Sequence, residues 1–403
     1  MNCLPQSINS RRSECFYVVR WPERWKVEEA LALTKNGIEI NITNSIFKQD
    51  LKKNIMECIL HFIGTKIDWG QFGGQHGMSV AHYLVELLTF IHFNQEFREQ
   101  HAVLAAMVDF HKAFNNQNHG ILLTILTDMG LPGWLLRVIK GFLTEREMNL
   151  SYKGERSDNK QMPGGGSQGT ILGMVLFIVL INSVGFKEHK KTIGAIITSN
   201  FKGRQAIQTT HSKFIDDLTI AESINLKKSL QTEQEDFWLR PLPFHSRTEH
   251  TLKSHTSKVQ VKMDTISDYA KTNEMEINKK KTKVMIFNNA KKWDFLPKIK
   301  IDNDELEVVE SMKLLGTIVT SDLKWNANTH YMTTRGYSKL WILRILKNLS
   351  ANNEELKLVY EQQVRCVVEF SSPVWAGLII QDVELVWSLT RMSSLCRKEV
   401  DED

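Results

Sequence analysis

The alternation of apolar and polar positions becomes regular from residue 71 onward. Gln71-Phe72-Gly73-Gly74 punctuates the chain, and Val80, Leu84, Leu87, Leu88 and Ile91 then recur at a spacing that places them on one helix face. Ala102 to Val108 is an unbroken apolar run of buried-strand length that ends at the carboxylate of Asp109. Two helices are expected over Leu122 to Met129 and Trp134 to Phe142, with Gly130 ending the first and Pro132 opening the second. Met148 to Tyr152 and Ser157 to Met162, joined through Lys153-Gly154-Glu155, read as a hairpin that runs into Pro163-Gly164-Gly165-Gly166. Ile171 to Val184 is apolar and of helix length.

Residues 187 to 212 are polar and basic and read as an exposed insertion, as do residues 233 to 254. Between them, Lys213-Phe214-Ile215-Asp216-Asp217-Leu218-Thr219-Ile220 predicts a β-hairpin with both aspartates at its tip. Val259, Met263, Ile266 and Ala270 mark an amphipathic helix, and Val284 to Phe287 and Met312 to Val319 carry strand signals. Leu340, Leu343 and Leu346, then Leu356, Val359 and Val364, follow helical spacing. In the first 60 residues only Leu31 to Gly37 is legible, as a strand and turn.

Composition narrows this picture little. Of 403 residues 24% are charged, so disorder is not the default, and the net charge of +5 permits a polyanionic partner without demanding one. Positive charge gathers at Lys279 to Lys283 and at Lys291-Lys292. Five cysteines lie far apart without metal-ligand spacing, which argues against a zinc knuckle or disulfide framework and for a reducing, intracellular compartment, nuclear or cytoplasmic. No apolar run approaches membrane-spanning length, and the N-terminus lacks the pattern of a secretory signal.

The candidate chemistry lies in the carboxylates. Adjacent anions at a hairpin tip repel one another, and they are stable when a divalent cation sits between them and a third acidic group. Asp109, at the end of a core strand, is that third group. Such a set suits two Mg²⁺ ions roughly 4 Å apart, the arrangement that activates an attacking hydroxyl and stabilises a leaving pyrophosphate.

In this order the blocks resemble the reverse transcriptases of non-LTR (LINE-type) retrotransposons, over roughly residues 20 to 375. Asp109-Phe110-His111-Lys112-Ala113-Phe114 is similar to the first palm motif, and Gly166-Ser167-Gln168-Gly169-Thr170-Ile171-Leu172-Gly173 to the second. Phe214-Ile215-Asp216-Asp217 matches the third, Asn278 to Thr282 resembles the fourth, and Leu314-Leu315-Gly316-Thr317 the primer-grip hairpin. Gln71-Phe72-Gly73 is like the family's fingers.

The resemblance implies an α+β, right-hand polymerase fold: fingers, a palm of antiparallel sheet plus helices, and a partial helical thumb. It implies a degraded fingers remnant over residues 1–60, fingers and palm over 61–295, and primer grip with a shortened thumb over 296–403. It makes Asp109, Asp216 and Asp217 the ligands of two Mg²⁺ ions, with Mn²⁺ as an alternative, and Lys281 the general acid. Phe114 screens the sugar 2′ position, Gln168 and Gly169 line the template and nucleotide pocket, and Lys35 grips the triphosphate. The implied partners are an RNA or DNA template with its primer, and dNTPs.

Departures accompany the match. Asn115 and Asn118 stand where the family has Asp, Ser167 and Met174 where it has Pro, and an Arg-Pro-Ile-Ser block expected before Gln71 is absent. With no N-terminal endonuclease and a thumb that ends at Asp403, the sequence looks like a truncated copy of an element. Two readings follow: an RNA-directed DNA polymerase, or an inactive nucleic-acid-binding remnant.

Overall fold

The computed structural model describes residues 27–33, 37–39, 46–96, 101–152, 155–162, 164–166, 170–182, 184, 209–225, 257–287 and 297–375. Strands β1 (Val27–Leu33) and β2 (Gly37–Glu39) form an antiparallel pair, and helices α1 (Ile46–Ile63) and α2 (Val80–Glu96) follow. Next come β3 (His101–Val108), α3 (His119–Asp128) and α4 (Gly133–Leu143). Then come β4 (Arg146–Tyr152), β5 (Glu155–Arg156), β6 (Lys160–Met162) and α5 (Ile171–Asn182). The hairpin β7 (Thr209–Phe214) and β8 (Asp217–Asn225), helix α6 (Lys258–Thr272) and β9 (Lys283–Phe287) complete the central layer.

That layer is a four-stranded antiparallel sheet in the order β7-β8-β3-β9. Its alternation explains the unbroken apolar run of β3. Ala102, Leu104, Ala106 and Val108 face a core built with α1, α3, α4, α5 and α6, while Val103, Ala105 and Met107 face a second core under α2. A strand buried on both faces has no solvent side, so it is apolar throughout unless buried partners satisfy its polar residues. Helix α5 is apolar all round for the same reason: every residue from Leu172 to Ile181 except Met174 is buried.

Two sequence expectations change. The arm expected over Ser157 to Met162 is strand only at β6, and a separate short strand β5 opens already at Glu155, where the turn was expected. Both pair with β4, and the polar turn at Asn159 between them bonds to Asn149 and Glu147 instead of continuing the ladder. The stretch read as an exposed insertion ends in a buried strand: Thr210, His211 and Ser212 of β7 are at most 4% exposed. Residues 187–208 and 233–254 lie outside the described residues.

Helix α6 starts at Ser257, whose hydroxyl donates to the buried Glu222 of β8, while the second Glu222 oxygen accepts the Val259 N–H at 3.1 Å. Beyond the sheet lie the short pair β10 (Lys300–Ile301) and β11 (Asp304–Glu305) and the hairpin β12 (Ser311–Leu314) and β13 (Thr317–Thr320). The hairpin turns through Leu315 and Gly316, both at positive φ. Helices α7 (Asn326–Tyr337), α8 (Leu340–Asn348) and α9 (Asn353–Val359) follow, the last opened by an Asn352/Glu355 capping box. Among the described residues no helix is long and apolar enough to cross a membrane.

Candidate active site

Phe214 pairs with Asp217, so the β7–β8 loop is two residues long and consists of Ile215 and Asp216. Asp216 is therefore in the turn, whereas Asp217 opens β8 and is not at the tip. Ile215 has φ +60°, a conformation that a two-residue hairpin requires and that a β-branched side chain resists, at about 1–3 kcal/mol. Such strain persists where surrounding structure imposes it.

Asp109 directly follows β3. The β3–β8 register ends with Val108 opposite Leu218, and one step further it sets Asp109 beside Asp217. The Asp109 N–H donates to Thr282 Oγ1 at 3.2 Å, and its carbonyl accepts from the Asn278 N–H at 2.8 Å. The loop before β9 thus clamps the end of β3. Lys281 in that loop brings Nζ to 4.0 Å from Asp109 Oδ2 while its side chain is 72% exposed.

The three carboxylates strain against one another electrically. Burial, then repulsion from Asp216 and Asp109, pushes Asp217 up to about 6. Burial and the Asp109 charge also raise Asp216, with a backbone hydrogen bond and Lys281 acting in the opposite direction. A cleft of about 420 Å³ opens beside them, lined among others by Asp109, Asp217, Lys280, Lys281 and Lys283. The donor set is hard oxygen only, which fits Mg²⁺ or Mn²⁺ and not a soft metal. Among the described residues no three His, Cys, Asp or Glu side chains already close into a metal cage. That is compatible with Mg²⁺, which takes one or two carboxylates and completes its shell with water and substrate phosphate.

Phe114 lies where the first motif meets the glycine loop. Its ring stacks on Phe177 of α5 at 4.8 Å, and its carbonyl accepts the Gly166 N–H at 2.6 Å. Glycine is needed here: Gly165 has φ +84°, and a Cβ on it would stand 2.8 Å from the Asn115 carbonyl oxygen. Gln168 and Gly169, the predicted pocket residues, lie outside the described residues, as does Lys35. The departure at Asn118 has a local role, since its Oδ1 accepts from the Ile121 N–H as the N-cap of α3 and its Nδ2 donates to Glu274 at 2.8 Å. An aspartate could cap the helix but would face Glu274 with like charge.

Sequence reasoning passed over the group behind the turn. Asp68, 7% exposed, places Oδ2 2.8 Å from Lys213 Nζ and 2.9 Å from His211 Nε2. Hydrogen bonds from His211 and the charge of Lys213 outweigh burial and hold its carboxyl well below the ordinary range. His211 is driven down chiefly by burial, and its Nε2 faces Asp68 Oδ2 at 2.9 Å. The signal was faint: two polar residues at alternate positions of one strand, and an aspartate before a Gly-rich segment. Gln117, 1% exposed, was also missed; among the described residues neither polar atom of its side chain has a hydrogen-bond partner.

An antiparallel sheet whose central strands end in three acidic side chains, backed by helices on both faces and bordered by a basic loop, is the palm of a right-hand nucleic-acid polymerase. Residues 38–319 match the model of the family described as reverse transcriptase (RNA-dependent DNA polymerase). The chain belongs to that family. Solved structures similar to it include apo telomerase from Candida tropicalis, at 9% identity and TM-score 0.45 over 92% of this chain and 59% of that one. Telomerase from the same organism in complex with a telomeric RNA fragment matches at 10% identity and TM-score 0.43, over 92% and 58%. The Candida albicans telomerase complex matches at 11% and 0.39, over 91% and 60%. The chain spans less than two thirds of the length of each.

Proposed function

We propose that this chain is an RNA-directed DNA polymerase of the non-LTR retrotransposon type, extending a primer 3′-hydroxyl with dNTPs. The observation that carries this is the meeting of Asp109, Asp216 and Asp217, two of them raised by burial and then by their acidic neighbours, beside a lysine-lined cleft. Asp109, Asp216 and Asp217 hold the divalent ions. Bound Mg²⁺ supplies a Lewis acid that lowers the pKa of the 3′-hydroxyl and neutralises charge on the phosphates.

In the reaction the 3′-hydroxyl gives its proton to water and its oxygen forms a bond to the α-phosphorus, while the bond from that phosphorus to pyrophosphate breaks. Lys281 gives a proton to that leaving group, since its exposed ammonium projects from the clamp on Asp109. Phe114 excludes a ribose 2′-hydroxyl by shape, Gln168 and Gly169 border the nucleotide pocket, and Lys35 contacts the triphosphate. No arginine occurs between Arg24 and Arg98, so this grip is a point charge in place of a bidentate fork. We divide the chain into a fingers remnant (1–60), fingers and palm (61–295), and primer grip with helical thumb (296–403). The non-LTR assignment rests on the ordered motif blocks and on Gln71-Phe72-Gly73 ahead of them.

The test is primer extension by purified protein on poly(rA) with an oligo(dT) primer, dTTP and Mg²⁺. Extension that needs template and ion supports the reading. Tight primer–template binding without extension in Mg²⁺ or Mn²⁺ would make the chain an inactive nucleic-acid-binding remnant.

A further inference from the structure

The Asp-Asp turn is strained, and the fold supplies something that holds it. Residues 70–72 run alongside β7 as a short parallel edge: the Lys213 N–H donates to the Gly70 carbonyl and the Phe72 N–H to the Lys213 carbonyl, each at 2.8 Å. One residue on, Gly73 presses on the turn so closely that a Cβ there would stand 2.6 Å from the Ile215 nitrogen. Gln71 Oε1 faces the Ile215 N–H at 3.4 Å.

This edge is anchored by Asp68. Its Oδ2 receives both Lys213 Nζ and His211 Nε2, its Oδ1 accepts the Gly70 N–H at 3.0 Å, and its own N–H donates to Asn182 Oδ1 at 2.6 Å. Lys213 Nζ also donates to the Val184 carbonyl at 3.0 Å. Asp68 thus ties the edge segment and β7 through its carboxylate, and α5 through its backbone N–H, to one point three residues before Asp216. A buried ion pair is a poor source of stability, because desolvation offsets most of its attraction, and fixing register is its best-attested use. Register matters here: β8 holds Asp217 through its own pairing with β3, but a slip of one residue along β7 would remake the two-residue turn and carry Asp216 away from Asp109.

We propose that Asp68 is a positioning residue for the carboxylate turn. Through Lys213 and His211 it fixes the strand that leads into the turn and so sets Asp216 beside Asp217 and Asp109. The inference rests on the reading that these carboxylates hold the ions, and it adds a residue that touches neither ion nor nucleotide.

The experiment compares full-length wild type, Asp68→Asn and the double variant Asp68→Asn/Lys213→Met, which leaves no unpaired charge buried at this pair. Hydrogen–deuterium exchange by mass spectrometry reads local opening, and a Mg²⁺ titration of primer extension reads ion capture. Exchange in peptides covering 209–217 should rise at least tenfold in both variants while 283–287 stays within twofold. The Mg²⁺ concentration for half-maximal extension should rise at least fivefold, with KM for primer–template within twofold. Unchanged exchange over 209–217, or an equal rise across every strand in both variants, would overturn the proposal. If wild type extends no primer, the polymerase reading fails, and the exchange comparison alone still decides whether Asp68 holds the turn.

Discussion

Asp217→Asn should make the ion-free protein more stable. At pH 8 the wild-type carboxylate is ionised in both folded and unfolded chain, but the folded site resists that charge. Displacement from the ordinary 3.8 to about 6 corresponds to about 3 kcal/mol against the ionised form. Asparagine removes the repulsion from Asp216 and Asp109 but remains a polar group in a largely buried place, so roughly half, about 1–2 kcal/mol, should be recovered. With an unfolding entropy of about 2 cal/mol/K per residue, 1 kcal/mol shifts the melting temperature of a chain this long by only about 1 °C, so urea denaturation is the sharper assay.

The sign with pH follows. Because the folded value is raised, acidification lets the folded carboxyl take up a proton first and relieves the wild type. The advantage of the variant should be full at pH 8, shrink through pH 6 and vanish near pH 4. At pH 8, 10 mM Mg²⁺ should stabilise wild type by about 1.4 kcal/mol if the ion is held near 1 mM, and the variant by much less. A variant less stable than wild type at pH 8 without ion, or equal Mg²⁺ stabilisation of both, would refute this reasoning.

Further predictions concern other residues. Phe114→Ala should raise incorporation of ribonucleotides relative to deoxyribonucleotides, and an unchanged ratio would leave Phe114 only its stack on Phe177. Lys281→Ala should lower single-turnover extension about 10²–10⁴-fold if it is the general acid, with dNTP affinity within a few-fold. The lowered carboxyl of Asp68 contributes stability that is complete above about pH 4 and is lost as pH falls toward its folded value. The stability difference between wild type and Asp68→Asn in urea should therefore narrow on acidification below pH 4.

The fold was legible where burial leaves a period. The helix faces from Val80 and Val259, the β3 run ending at Asp109 and the helix end at Gly130 stand in the structure near where the pattern placed them. Strand β7 was legible only from Lys213 on, because the buried side chains before it are Thr210, His211 and Ser212, and polar residues satisfied by distant partners look like surface. The Asp68 partnership with Lys213 spans 145 residues, and no local spacing encodes it. The turn was half legible: the aspartates announced themselves, but which of them opens β8 depends on the positive φ of Ile215, a residue type that does not predict one.

The central claim is that the three carboxylates form a polymerase active site. Asp216→Asn tests it most directly, with primer–template affinity measured beside the rate of single-nucleotide extension in Mg²⁺. Removing one carboxylate from the turn takes away part of the ion site and no phosphate contact, so affinity should stay within about twofold. Extension should fall by at least 10³-fold, corresponding to about 4 kcal/mol of transition-state stabilisation. Extension by the variant at a rate comparable to wild type would contradict the account.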